Sequence, residues 1–236
     1  MKGRNAVVTG GSGGIGSAIV ETLLAAGANV ASLDLPGRAP PAGAISLPCN
    51  LADRASLRAA VAEAGDRFDG KVQAVVHCAG ITRDSMLWKM SDEDWDLVLR
   101  VNLDSAFLLL KETVPMLRRA GGGAVVLVSS INGERGKMGQ ANYAASKAGL
   151  HALARTAAKE LGRFQVRVNA VAPGFILTAM TEPLPEEIKK KAVDETALGK
   201  AGAPADVANA VLFLCSPASG HVTGQVLRVD GGQLMA

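Results

Sequence analysis

Aromatic side chains are scarce in this chain. They make up 3% of its 236 residues, and tyrosine occurs once, as Tyr143. Any chemistry that needs a phenol must use that residue. Cysteine is also rare: Cys49, Cys78 and Cys215 are odd in number, widely spaced and contain no CxxC pair. That excludes a disulfide framework and a zinc cluster, and the three read as buried, reduced small hydrophobes of a cytosolic protein. No bound metal is expected. No apolar run approaches the roughly 20 residues that a membrane helix requires, and no signal peptide is visible, so a cytoplasmic location without membrane attachment is expected. The formal net charge of +3 implies neither a nucleic-acid-binding stripe nor an acidic tail.

What the chain does have is glycine. Residues 9–16 read TGGSGGIG, directly after the apolar Ala6-Val7-Val8. Three site patterns fit these letters. A P-loop would need Lys and Ser/Thr after its second glycine, but Gly16 is followed by Ser17-Ala18. A serine-hydrolase elbow around Ser12 fits locally, and His221 comes late enough to complete the order. That fold builds its oxyanion hole from an earlier strand, and only eight residues precede Thr9. The dinucleotide reading uses glycines for a tight turn, for backbone approach to the pyrophosphate and for helix packing. Five glycines in the seven positions 10–16 exceed what a merely tight turn needs.

Asp34 closes the second apolar run, 18 residues after Gly16. A carboxylate there accepts hydrogen bonds from ribose hydroxyls and repels a 2′-phosphate. The loop carries no arginine, and Arg38 stands four residues past Asp34. The expected cofactor is NAD(H) rather than NADP(H), provided Arg38 does not turn toward the ribose.

The remaining chain alternates short Val/Ala-rich runs with helical patterns. Strands are expected at Asn5–Thr9, Asn29–Asp34, Ala44–Leu47, Val72–His77, Ala124–Ser129, Arg167–Ala172 and Gln225–Val229, and helices near 14–26, 53–64, 91–120, 141–162 and 204–215. The strand runs are continuously apolar, as in parallel sheets covered on both faces. The pattern predicts an α/β fold: one domain over 1–236, a doubly wound Rossmann sheet of seven parallel strands with helices on both faces. Residues 173–200, with their prolines, threonines and Lys189-Lys190-Lys191, read as an excursion from the sheet.

In Tyr143-Ala144-Ala145-Ser146-Lys147, the first and last residues share a helix face. A nearby ammonium favours a phenolate, and so is expected to draw the phenol down from its usual pKa of about 10 toward a useful acid/base range. Ser129-Ser130 closes a strand at the carboxyl edge, where open α/β sheets bind ligands. Asn102, on a long helix, has an ordinary role open to it as a helix–helix hydrogen bonder.

Taken together these motifs resemble the short-chain dehydrogenase/reductase family across essentially the whole chain. Thr9-Gly10-x-x-x-Gly14-x-Gly16 is similar to the family's cofactor loop. Asn102, Ser130, Tyr143 and Lys147 match its active-site asparagine, serine, tyrosine and lysine. Pro173-Gly174 with Thr178 resembles the turn beside the nicotinamide, and VTGQVLRVDGG at 222–232 the last strand. The resemblance implies cofactor contacts from Gly10, Ser12, Gly14, Ile15, Gly16, Asp34, Asn50, Leu51, Ala79, Gly80, Tyr143, Lys147, Pro173, Gly174, Ile176 and Thr178. It implies hydride transfer between a secondary alcohol and a ketone. In that scheme Tyr143 moves the proton, Ser130 polarises the substrate oxygen, and Lys147 bonds the nicotinamide ribose and lowers the Tyr143 pKa. Asn102 positions a water. Two departures stand out. Where the family often has Asn-Asn-Ala-Gly, this chain has His77-Cys78-Ala79-Gly80, and Asn50 occupies a position often held by aspartate.

The stretches around residues 79–103, 139–149 and 169–181 look like 3-oxoacyl-(acyl-carrier-protein) reductases and their 3-hydroxyacyl-CoA relatives. An acyl thioester or a similar small or cyclic alcohol is the expected substrate. NAD(H) departs from the NADPH typical of biosynthetic members. Substrate contacts are expected from Ile131, Asn132, Gln140, Phe175 and Met180, under a lid formed by 175–200. Arg118, Arg119, Arg163 and Lys189–Lys191 are candidates to meet an acidic carrier or phosphates, although EEIKKK also reads as a solvated helix face. The resemblance also implies a homotetramer. A dinucleotide-sensing regulator without turnover stays open as an alternative.

Overall fold

Seven strands form one parallel sheet in the order β3-β2-β1-β4-β5-β6-β7. In the computed structural model, which describes residues 1–235, they span β1 Asn5–Thr9, β2 Asn29–Asp34, β3 Ile45–Pro48, β4 Ala74–His77, β5 Gly123–Val128, β6 Val166–Pro173 and β7 Val226–Val229. Each agrees with its sequence-based counterpart to within a residue or two at the ends. The helices are α1 Gly14–Ala25, α2 Arg54–Arg67, α3 Asp92–Leu99, α4 Ser105–Arg119, the single-turn α5 Asn132–Arg135, α6 Ala141–Leu161, α7 Glu186–Asp194 and α8 Pro204–Cys215.

The continuous apolar runs are explained by a core on each face. Within β1, Val7 belongs to one core with Leu57, Leu109, Leu117 and Leu150 of α2, α4 and α6. Its neighbours Ala6 and Val8 belong to the other, with Ile19, Leu23, Val207 and Leu214 of α1 and α8. A strand that serves two cores has no polar face, which erases the alternation that a one-sided sheet would show.

The sheet reverses its winding between β1 and β4, which are hydrogen-bonded neighbours. Their carboxyl ends therefore open a crevice between the chain leaving Thr9 and the chain leaving His77, the place where doubly wound sheets take ligands.

The expected helix over 91–120 is three pieces. Between α3 and α4 lies a π-turn, Arg100–Asp104, in which the Ser105 N–H reaches back to the carbonyl of Arg100. The turn has Asn102 at its centre, whose side chain is bound outside the helix. The excursion after β6 also carries α7, whose first turn holds Glu186 and Glu187 and whose Lys189 pairs with Glu186 at 2.8 Å. The lysine run is thus a helix face, as its alternative reading had it.

Candidate active site

The glycine loop is shaped by contacts that no side chain would allow. A Cβ on Gly16 would lie 1.9 Å from the Gly10 carbonyl oxygen, and one on Gly10 would lie 2.7 Å from the Cα of Ala79. Gly10 also has φ +71°, in the left-handed region. The loop therefore folds against itself and against the strand-β4 exit. It delivers the chain into α1, whose N-cap, Gly13, has no side-chain cap. With no side-chain acceptor at the N-cap, the first amides of α1 are left for an external acceptor.

Asp34 lies across this loop. One carboxylate oxygen accepts the Ser12 N–H at 3.0 Å and the other accepts the Leu35 N–H at 2.8 Å. The Ser12 hydroxyl is buried without a partner among the described residues. An uncapped helix, a collar of glycines and an orphaned buried hydroxyl fit a bound dinucleotide phosphate. Arg38 is exposed on the next loop.

Four expected active-site residues converge at the carboxyl edge. Asn102 is fully buried and uses its whole amide. Its oxygen accepts the Ile81 N–H at 2.8 Å, and its nitrogen donates to the Ile81 carbonyl and the Ser146 hydroxyl, each at 3.0 Å. Ser146 donates onward to the Tyr143 carbonyl at 2.7 Å. Lys147 is 3% exposed, and its Nζ donates to the Val128 carbonyl at 2.9 Å. A Cβ on Gly80 would lie 3.1 Å from that nitrogen and 3.5 Å from the Asn102 oxygen, so Gly80 keeps the approach to both groups clear. The Ser130 hydroxyl accepts the Asn132 N–H at 3.1 Å, and it stands near enough to the Tyr143 phenol to favour its ionised form. Ser129 is turned away, donating to the Lys147 carbonyl at 2.9 Å.

One expectation is reversed. The Tyr143 phenol is not lowered: burial pushes it up to about 12, opposed by the Ser130 hydrogen bond and reinforced by the Asp84 charge. The reason is geometric. Lys147 Nζ lies 5.6 Å from the Tyr143 ring centroid, drawn toward Val128. Lys147 is itself pushed down to about 8 by burial. The resting pair is a protonated phenol beside a weakened ammonium.

That burial has a sign on stability. The unfolded lysine titrates near 10.5. Between pH 8 and 10.5 the unfolded chain holds a proton that the folded one has released. The stability tied to Lys147 therefore rises with pH over this window and is lost as pH falls through about 8. In urea titrations at about pH 7 and about pH 10, wild type is expected to gain on Lys147→Met at the higher pH, the three cysteine thiols cancelling in the difference. A pH-independent difference would show that the ammonium is not desolvated.

Other expected contacts divide into cleft and core. Leu51, Ile131 and Ile176 are buried at 9%, 2% and 4% exposure, so their side chains pack inward. The Asn50 oxygen accepts the Ala52 N–H at 3.0 Å, closing the turn before α2, and only its amide nitrogen is left for a ligand. Pro173 ends β6 and Gly174 follows it. A Cβ on Gly174 would meet Asp230 at 2.7 Å. Thr178 folds back over the loop, 3.0 Å from where a Gly14 Cβ would stand. Asn132 donates to Gln140 at 3.1 Å, and Gln140 to Asp84 at 2.9 Å. Phe175 is half-buried and Met180 exposed.

Arg118, Arg119 and Arg163 are not near this crevice. They line a hollow of about 620 Å³ at the opposite, amino edge, where Arg118 lies 4.1 Å and Arg163 5.1 Å from the Phe164 ring. The role of an acidic-carrier contact beside the catalytic residues is therefore not theirs.

Sequence reasoning missed two features. Glu195 accepts from Arg135 at 3.0 Å and from Gln233 at 2.9 Å, and Gln233 also accepts the Phe175 N–H at 3.0 Å, which pins both ends of the excursion. No spacing signal joins residues so far apart. The other is His77, which the departure from Asn-Asn-Ala-Gly had flagged without a role. Its neighbours Cys78 and Ala79 are held not by a side-chain amide but by the Thr9 hydroxyl, which accepts their N–H groups at 3.3 and 3.4 Å.

The family model described as enoyl-(acyl carrier protein) reductase matches residues 10–233. The chain is 40% identical to a 3-oxoacyl-(acyl-carrier-protein) reductase of Thermotoga maritima over 98% of both chains. It is 45% identical to an acetoacetyl-CoA reductase of Synechocystis, over 95% of this chain and 94% of that one. It is likewise 45% identical to a (3R)-3-hydroxyacyl-CoA dehydrogenase of Rattus norvegicus, over 98% and 96%. The chain belongs to the short-chain dehydrogenase/reductase family of oxidoreductases.

Proposed function

We propose that the protein interconverts 3-oxoacyl and 3-hydroxyacyl thioesters with NAD(H). The observation that carries this reading is the convergence of Ser130, Tyr143 and Lys147 beside a glycine loop that Asp34 overlooks. The thioester class comes from the relatives, all three of which are named for 3-oxoacyl, acetoacetyl or 3-hydroxyacyl substrates.

In this reading the dinucleotide is held by Gly10, Ser12, Gly14, Ile15 and Gly16, by Asp34, by Ala79 and Gly80, and by the 173–178 turn, with Asn50 at the adenine end. When bound, it supplies or accepts a hydride at its nicotinamide. The protein supplies the rest. The α1 N-terminus places partial positive charge on the phosphates. Asp34 accepts from ribose hydroxyls. Ser130 donates to the substrate oxygen, and the protonated Tyr143 passes its proton to that oxygen as a carbonyl becomes a carbinol. Oxidation uses the same path in reverse, with Tyr143 as acceptor and Lys147 favouring the phenolate by its charge. Asn102 positions a water beside Lys147 and also braces the backbone around it. Its amide holds Ile81 and Ser146 in place.

Gln140, Asn132, Phe175 and Met180 flank the substrate, and the excursion between its pinned ends forms the lid. The proposed assembly is a homotetramer. The test is turnover of acetoacetyl-CoA, longer 3-oxoacyl thioesters and cyclic ketones with NADH and with NADPH. Thioester reduction with NADH is expected to exceed reduction of cyclic ketones. Dinucleotide binding with no turnover of any member would overturn the reading in favour of a sensor.

A further inference from the structure

His77 ends β4 with no exposure to solvent. Its Nδ1 lies 3.0 Å from the Thr9 hydroxyl, and its Nε2 lies 3.2 Å from the Asn102 carbonyl oxygen. The ring touches the last residue before the glycine loop on one side and the centre of the π-turn on the other. A π-turn shifts its carbonyls out of the regular α ladder. The Asn102 carbonyl meets the imidazole there.

The proton positions follow from the partners. Burial, aided by the Lys147 charge, pushes the imidazolium down to about 3, so the ring is neutral and has one N–H. A carbonyl oxygen only accepts, so that N–H sits on Nε2. Nδ1 then offers a lone pair, and the Thr9 hydroxyl donates to it. The Thr9 oxygen keeps its lone pairs for the N–H groups of Cys78 and Ala79. The imidazole, the Thr9 hydroxyl and the Asn102 carbonyl thus have one assignment that satisfies all three. The connection continues through the Asn102 side chain to Ile81 and Ser146, and from Ser146 to the Tyr143 carbonyl.

We infer that His77 is a positioning residue, which in its Nε2–H tautomer locks the exit of β1, the 78–80 segment and the Asn102 turn into one unit that sets the glycine loop against the Tyr143 helix. The inference rests on the reading of that loop and helix as the two halves of the active site. A ring without the two nitrogens would fill the space and deprive the Asn102 carbonyl of its imidazole donor and the Thr9 hydroxyl proton of its acceptor. The loss of a satisfied buried hydrogen bond is worth roughly tenfold or more in the equilibrium that depends on it.

The direct test is the nitrogen spectrum of the native protein at neutral pH, with and without NADH. The chain has three histidines, so assignment by single substitution is short. His77 is expected to show a protonated Nε2 and a bare Nδ1 in both states. A protonated Nδ1 would overturn the inference. His77→Phe is expected to raise the NADH Kd, measured by titration without turnover, and to lower kcat, each roughly tenfold. His77→Gln offers one donor and one acceptor and is expected to recover most of both. If His77→Phe does not fold, Thr9→Val removes the hydroxyl that joins Nδ1 to the N–H groups of Cys78 and Ala79, and is expected to raise the NADH Kd in the same direction. Wild-type binding and turnover in His77→Phe, or a His77→Gln as impaired as His77→Phe, would overturn the inference, as would an unchanged NADH Kd in Thr9→Val. Tyr143→Phe separates the two levels. A dead Tyr143→Phe beside an unaffected His77→Phe removes this inference alone. An active Tyr143→Phe removes the catalytic reading and leaves the tautomer and binding results to stand.

Discussion

Tyr143→Phe is expected to cut kcat on the order of a thousandfold while the NADH Kd stays within about twofold. The substitution keeps the ring and deletes the phenolic hydroxyl beside Ser130 and Lys147. Because Tyr143 is the sole tyrosine, wild-type tyrosinate absorbance reports this one residue. In the ligand-free protein it is expected to titrate near 12 rather than near 10. The same shift predicts which direction needs least from the surroundings. A phenol that holds its proton through neutral pH is ready to protonate a carbonyl oxygen, whereas accepting a proton requires Lys147 to approach as a full ammonium. A Tyr143→Phe variant with wild-type turnover would remove the proton-transfer assignment.

Most of the fold was legible because its signals are local. Seven apolar runs, five glycines in the loop and first turn of α1, and a Tyr–Lys pair one helical turn apart each lie within a few residues of chain. The π-turn was not legible. The Leu/Val periodicity runs through Asn102 without a break, and the contacts that accompany the irregularity are with Ile81 and Ser146, far away in sequence. The sign of the Tyr143 shift failed for a related reason. Spacing places Lys147 on the right face of α6, but the Val128 carbonyl, on another element, decides where its ammonium sits. Leu51, Ile131 and Ile176 fell at motif positions, yet their side chains are buried in the core. Arg118, Arg119 and Arg163 carried the right charge for phosphates, yet helix and strand ends placed them at the amino edge. Local pattern assigned residues to elements. It did not assign them to an edge of the sheet.

Asp34 governs the second large effect, the choice of dinucleotide. Wild type is expected to prefer NADH over NADPH by roughly 30- to 100-fold in kcat/KM. Two unit charges of like sign about 4 Å apart near a protein surface repel by about 4 kcal/mol, and discounting this for solvent and salt leaves about 2 to 3 kcal/mol against a 2′-phosphate. The carboxylate cannot easily swing aside, because the Ser12 and Leu35 amides hold both of its oxygens. Turning it away would leave the Ser12 amide, inside the glycine loop itself, without an acceptor. The cofactor preference and the shape of the loop are thus set by the same two hydrogen bonds. Asp34→Ala is therefore expected to do two things at once: bring the NADH:NADPH ratio to within a few-fold of one, and weaken both dinucleotides because the loop has lost its brace. Asp34→Asn separates them. Its amide oxygen still accepts from Ser12 and only the exposed Leu35 N–H loses its acceptor to solvent, so the NADPH Kd should improve over wild type with little of the general loss. An NADPH preference in wild type would overturn the reading of Asp34 and pass the ribose to Arg38, the nearest exposed cation on that loop.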